Sequence, residues 1–226
     1  MYGQNPIADK RTEAEGFLVH SIFYTIQGEG PWAGLPTIFL RLAGCNQQCG
    51  FCNREFDVGA EQSSLQTLVQ RLRDWAFTNN CNRIVITGGE PMLQPLTNLL
   101  SYLPEMAFQI ETAGTVWPKQ FEQVLRTRNV VIVCSPRTPT IHPGIKEYCL
   151  HYKYIVDCTV PYNGNGVAED VFFPNHLMED PVKVYLQPCD VPDAIQHQAN
   201  IAQAIKLSLQ HGHRLSMQVH KIAGVA

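Results

Sequence analysis

Cys45, Cys49 and Cys52 stand in a Cys-x3-Cys-x2-Cys spacing, within the run Cys45-Asn46-Gln47-Gln48-Cys49-Gly50-Phe51-Cys52. Three thiolates that close can hold three corners of a cubane iron–sulfur cluster and leave the fourth iron without a protein ligand. Proteins whose clusters only carry electrons normally supply four cysteines. An open iron is a place for chemistry. Two plainer readings stand beside this one: a tetrahedral zinc site completed by a histidine, or three buried thiols. A structural zinc site usually pairs two Cys-x2-Cys knuckles, or a cysteine pair with a histidine pair. Here the next cysteine is the isolated Cys81 and the next histidine is His142.

Other polar clusters fall where apolar runs end. Gln27-Gly28-Glu29-Gly30-Pro31 offers an amide and a carboxylate beside glycines that let backbone approach a ligand, although a plain turn reads the same way. In Thr87-Gly88-Gly89-Glu90-Pro91 the double glycine leaves backbone groups open to a polar ligand. Glu90 is either a helix N-terminal charge or an acceptor for the ammonium of a bound amino-acid moiety. Glu111 closes another apolar run, where a carboxylate is costly to bury without a partner. A guanidine-like edge, such as that of a pterin or purine, would satisfy both its oxygens. Ser135-Pro136-Arg137 and Gln187-Pro188-Cys189-Asp190 end two later runs, and Gln218 and His220 lie two apart near the C-terminus.

Alternating elements must position these clusters. Strands are predicted over 20–26, 37–42, 83–87, 108–111, 130–134, 152–156 and 182–186, with a closing strand over 214–218 that would put Gln218 and His220 on one face. Helices are predicted over 64–76, capped by Ser63 or Ser64, and over 91–103, 118–126 and 192–209, the last stopped by Gly212. Residues 136–146 and 161–178 read as loops. Nearly continuous apolar strands alternating with helices imply a parallel sheet covered by helices. A full eightfold barrel typically needs about 250 residues, so a partial, open (β/α)6-type barrel fits better, with function at the carboxyl ends of its strands.

The chain has 226 residues, enough for one well-packed domain, with residues 1–16 read as a flexible N-terminal extension. Its net charge of -3 and scattered basic residues speak against a nucleic-acid partner. Five of the eight cysteines are dispersed, which suits a reducing compartment better than a disulfide framework. Neither a signal-peptide pattern nor a membrane-spanning run is found, so a soluble cytoplasmic protein is expected.

The cysteine triplet resembles the signature of the radical S-adenosylmethionine enzymes. The ordered set Ile26 to Gly30, Phe39 to Leu42, the cysteine loop, Val85 to Pro91, Gln109 to Gly114, Ser135-Pro136, Leu186 to Pro188 and Arg214 to Lys221 closely resembles the 7-carboxy-7-deazaguanine synthases of the queuosine and 7-deazapurine pathway. The resemblance implies a partial radical SAM barrel and a reaction. A 4Fe-4S cluster held by Cys45, Cys49 and Cys52 would cleave S-adenosylmethionine to a 5'-deoxyadenosyl radical. That radical would take hydrogen from C6 of 6-carboxy-5,6,7,8-tetrahydropterin, which contracts its ring and loses ammonia to give 7-carboxy-7-deazaguanine. Carried over by position, Phe51, Cys52, Asn53, Gly89, Glu90, Ser135, Pro136, Arg137, Gln187, Pro188, Cys189 and Asp190 would line the S-adenosylmethionine site. Ile26, Gln27, Gly28, Glu29, Arg41, Arg54, Thr87, Glu111, His220 and the Ala226 carboxylate would face the pterin. Arg41 suits the substrate carboxylate, which a guanidinium can bond through two hydrogens. A reductant such as flavodoxin or ferredoxin and a homodimeric assembly are implied too.

One departure from the family pattern bears on magnesium. The family usually follows its third cysteine with Asp-Thr, whose hydroxyl helps hold Mg2+ beside the substrate carboxylate; here Asn53-Arg54 stands instead. Arginine offers donors only and cannot ligate a metal. Either magnesium is held without this residue or the Arg54 guanidinium replaces it, and replacement preserves the positive charge. Two other readings compete with the synthase: a radical activase acting on another protein or a related enzyme with a different heterocyclic substrate, and a non-catalytic metal-bound interaction module.

Overall fold

The computed structural model describes residues 6–50, 52, 59–178 and 180–225. Phe51, Asn53, Arg54 and Ala226 lie outside the described residues. One nine-stranded sheet runs in the order β3-β1-β2-β4-β5-β6-β7-β8-β9. Its strands are β1 (Phe17–Ile26), β2 (Pro36–Leu42), β3 (Glu61–Ser63), β4 (Arg83–Gly88), β5 (Ala107–Thr112), β6 (Asn129–Cys134), β7 (His151–Val156), β8 (Val184–Pro188) and β9 (Arg214–Leu215). From β2 to β9 every pairing is parallel, and helices α1 (Leu65–Asn79), α2 (Leu96–Ser101), α3 (Phe121–Thr127), α4 (Pro143–Tyr148) and α5 (Ala194–His211) lie in the connections. This is the mostly parallel, partial and open (β/α) barrel expected from the strand pattern.

The alternation of side chains along each strand sorts the molecule into two faces. Leu40, Ile84, Ile86, Phe108, Ile110, Ile132, Tyr152, Tyr154, Val184 and Leu186 are buried in one apolar core. The helices cover that face; α1 contributes Leu68, Val69, Leu72 and Ala76. The intervening positions carry Arg41, Thr87, Gln109, Glu111, Lys153 and Gln187, so the opposite face is polar. Local chemistry sets the helix ends. Ser64 Oγ accepts from Thr67 N at 3.1 Å to start α1, Asp193 accepts from Gln196 N at 2.7 Å to start α5, and Gly212 closes α5 at φ 72°.

Several expectations are corrected. β1 and β2 pair antiparallel, because the nine residues between Ile26 and Pro36 are too few for a parallel crossover, and β3 pairs antiparallel with the outer edge of β1. The helix expected over 91–103 is a 3-10 turn, Pro91–Leu93, followed by α2; Pro95 cannot supply the amide a continuous helix needs. The stretch 136–146, read as loop, contains the start of α4. The closing strand spans only Arg214–Leu215, and Val219–Ile222 forms a short helix, α6. Residues 6–16 are not a loose extension. Ile7 bridges Cys45, Ala8 N donates to Cys45 O at 2.8 Å, and Arg11 N donates to Leu93 O at 2.7 Å.

Candidate active site

The carboxyl ends of the parallel strands open into a cavity of about 440 Å³. Cys45, Cys49 and Cys52 line one side. Their loop is pinned at its root: Gly89 N donates to Leu42 O at 3.0 Å, and Glu90 N to Gly44 O at 2.9 Å. Gln94 secures the same corner, donating to Ala43 O at 2.9 Å and Leu18 O at 3.1 Å while accepting from Leu18 N. Further along, Asn46 Nδ2 donates to Thr115 Oγ1 at 3.0 Å, and Cys52 N to Cys49 O at 3.0 Å.

Among the described residues none of the three cysteines is disulfide-bonded. Burial, with Glu90 adding to it, pushes Cys45 up to about 11, and burial also raises Cys49. Thiols in such surroundings become thiolates only when a cation joins them, which is what cluster iron would supply. Among the described residues no three His, Cys, Asp or Glu side chains close on one point as a single-ion site demands. A cubane asks for no such convergence, since its thiolates sit on separate irons. The donor set therefore fits a cluster held by three cysteines.

The floor of the cavity is a hydrogen-bonded network of charged and amide side chains. Glu111 Oε1 accepts from Gln27 Nε2 at 2.8 Å and from Gln109 Nε2 at 3.1 Å. Its Oε2 accepts from Lys153 Nζ at 3.3 Å. The same ammonium donates to Glu29 Oε2, whose other oxygen accepts from Gln218 Nε2 at 2.7 Å. Gln27 and Glu29 reach this point because the β1–β2 connection dips toward β7, with Gly30 at φ 68° beside Gln109 and Val133. Burial alone would raise Glu29, but Lys153 and Gln218 outweigh it and leave it at about 2. Lys153 is pushed down by burial and, more strongly, up by Glu111 and Glu29. Gln109 Oε1 and Gln187 Oε1 are buried without a partner among the described residues. Gln187 lines the cavity, so a ligand donor would satisfy it.

Of the residues singled out in the sequence, Ile26, Gln27, Glu29, Arg41, the three cysteines, Thr87, Gly89, Glu111, Ser135, Arg137, Gln187, Pro188, Cys189, Asp190 and His220 line this one cavity. Arg41 and Thr87 are register partners on β2 and β4. Three others are not on the wall. Glu90 is 1% exposed, and its carboxylate accepts from Thr112 Oγ1 at 2.8 Å, Ala113 N at 2.8 Å and Met92 N at 3.0 Å. It is a cap and a brace between β4 and β5, not a wall group, and burial raises it to about 7. Gly28 makes room for His220, and Pro136 bridges two lining residues. Lys153 went unnoticed in the sequence. Its signal was a single charge in the middle of the otherwise apolar run Tyr152 to Val156.

Sheet, strand-end cavity and three-cysteine loop together define a radical S-adenosylmethionine protein, and residues 40–149 match the Radical SAM superfamily. The chain is 33% identical to the 7-carboxy-7-deazaguanine synthase of Rhodospirillum rubrum, over 100% of both chains. It is 35% identical to the one from Rickettsia prowazekii, over 100% of this chain and 96% of the relative. The crystal structure of QueE from Escherichia coli shares the fold, with a TM-score of 0.62 and 22% identity over 89% of this chain and 93% of the other. The chain belongs to the 7-carboxy-7-deazaguanine synthase family. Among the described residues no helix is long and apolar enough to cross a membrane.

Proposed function

We propose that the protein converts 6-carboxy-5,6,7,8-tetrahydropterin to 7-carboxy-7-deazaguanine with loss of ammonia. The observation that carries this reading is the pairing of three cysteines with the partly buried carboxylate of Glu111 on the walls of one cavity. Cys45, Cys49 and Cys52 would hold the 4Fe-4S cluster. When bound, the cluster and S-adenosylmethionine supply hydrogen-atom abstraction at C6 of the pterin.

The chain's own groups bind and orient. Glu111 accepts hydrogen bonds from the guanidine-like edge of the pterin, which neutral carbonyl acceptors would meet less strongly. Arg41, at the carboxyl end of β2 and beside Thr87, takes the substrate carboxylate through its planar fork. Gln187 presents an unsatisfied acceptor to the S-adenosylmethionine side, next to Pro188, Cys189 and Asp190. Ser135 and Arg137 line the same side. The same reading includes Phe51 and Asn53 on the cofactor side, Arg54 in place of a magnesium ligand, an external reductant, and a cytoplasmic homodimer.

Anaerobic turnover of the reconstituted protein with dithionite, S-adenosylmethionine and 6-carboxytetrahydropterin, followed by mass spectrometry, tests the proposal. Formation of 7-carboxy-7-deazaguanine is expected. Release of 5'-deoxyadenosine without that product would leave the radical machinery standing and remove the substrate.

A further inference from the structure

Lys153 is 5% exposed and sits in the middle of β7, on the strand face that turns toward the cavity. A buried ammonium is costly unless paired, and here it has two carboxylates, Glu29 and Glu111. These come from different parts of the chain, the β1–β2 connection and the end of β5. Both acids bond the same Nζ, so they stand within a few ångströms of each other. Two carboxylates at that separation do not both stay ionised without a cation; one takes up a proton. A proton shared by the pair would put a donor where Glu111 offers an acceptor to a donor-rich ligand edge.

The hydrogen-bond inventory shows which capacity is at stake. Glu111 Oε1 is filled by Gln27 and Gln109. Its Oε2 has one long contact, to Lys153 at 3.3 Å, and a second lone pair remains for a ligand. Lys153 is bound more closely by Glu29, which Gln218 in turn fixes from the C-terminal segment. The other charged or titratable groups facing this trio are Arg137, from the loop after β6, and His220 on α6.

We propose that Lys153 is a positioning residue for substrate recognition: shared between Glu29 and Glu111, its ammonium neutralises the facing carboxylates and so keeps Glu111 an acceptor for a guanidine-like ligand edge. This rests on the pterin reading above. Removing Lys153 leaves two like charges in contact. Removing Lys153 together with the Glu29 charge leaves no like-charge pair to take up a proton, and the acceptor capacity of Glu111 is kept.

The test is equilibrium binding of 6-carboxytetrahydropterin to reconstituted holoenzyme with S-adenosylmethionine and no reductant, from about pH 6 to 9. Wild type, K153M, E29Q and the K153M/E29Q double variant are compared. Wild-type affinity should be nearly flat with pH. K153M should bind about tenfold more weakly near neutrality and recover as alkali strips the shared proton. K153M/E29Q should bind like E29Q alone at every pH. A K153M variant that binds like wild type overturns the proposal, as does a loss that is equal at all pH values and persists in the double variant. If K153M does not fold, the comparison of K153M/E29Q with E29Q decides alone, a persistent loss counting against it. A wild-type enzyme that binds no pterin overturns the functional reading instead.

Discussion

The imidazole of His220 stands directly over Gly28: a Cβ at position 28 would lie 1.7 Å from Nδ1 of the ring. Around this contact the C-terminal segment is clasped to the β1–β2 connection, with Val219 N donating to Gly28 O at 3.2 Å and Gln218 to Glu29. Two segments nearly two hundred residues apart in sequence thus share one wall of the cavity. The open side of the barrel, beyond β8 and the two-residue β9, is closed by this clasp and not by further strands.

Gly28→Ala should therefore act through His220. The backbone at position 28 is not in the left-handed region, so alanine is tolerated conformationally and only the ring is in the way. We expect kcat/KM to fall by about tenfold or more, roughly 1.4 kcal/mol. In a His220→Ala background the same substitution should cost less than about 0.5 kcal/mol. An undiminished cost in that background would show that the clash is elsewhere.

Gly89→Ala should separate cluster assembly from folding. A Cβ there would lie 1.9 Å from Gly44 O and 3.1 Å from Cys45 Cβ, so the root of the cysteine loop must shift. After identical reconstitution the variant should hold much less iron and sulfide per chain, with a far-ultraviolet spectrum like wild type. Gly50→Ala, in the same loop but with nothing within 4 Å among the described residues, should keep its iron. Equal iron in wild type and Gly89→Ala would break the link between this glycine and the cluster site.

Much of this architecture was legible locally, and its omissions have physical causes. Cysteine spacing and strand-end glycines are short-range signals, so the cavity's two sides were visible as motifs. The nearly continuous apolar runs that hold Ile84, Ile86, Phe108 and Ile110 likewise marked strands, whose helix-facing side is one core. The brace formed by Glu90 was harder, because a carboxylate after Gly-Gly reads equally as a ligand group or a cap; its burial against Thr112 and Ala113 decides for the cap. The antiparallel β1–β2 pair had a signal that length alone supplies, since nine residues cannot hold a crossover helix. Lys153 was missed because a run of aromatic and β-branched residues reads as core, although one lysine within it demanded a buried partner.

Stability at acid pH should report on Glu29. Its folded pKa of about 2 lies below the ordinary glutamate value near 4.3. Between the two, the unfolded chain binds more protons, so stability is full above the upper value and declines as pH falls toward the lower. Lys153 gives the mirror image: raised in the fold, it contributes below its ordinary value and loses that contribution at strongly alkaline pH. Urea unfolding across the acid range should show a steeper fall for wild type than for Glu29→Gln. Parallel curves would mean that the Lys153 pair is not coupled to folding as the geometry requires.

Magnesium dependence follows from position 54 in the sequence, just past the third cysteine. A threonine hydroxyl there could join a magnesium shell, whereas a guanidinium brings its own permanent charge and no lone pair. If that charge meets the substrate carboxylate, the ion has no task left. Turnover should then barely change when magnesium is withdrawn and traces are chelated, and KM for the pterin should stay constant. Arg54→Thr should raise KM without magnesium and recover when it is added, because the hydroxyl restores an ion-binding oxygen. Arg54→Lys, which keeps the charge but not the fork, should fall between them and gain nothing from the ion. Wild-type activity that disappears on chelation and returns with magnesium would show that another oxygen ligand holds the metal, and that Arg54 does not replace it.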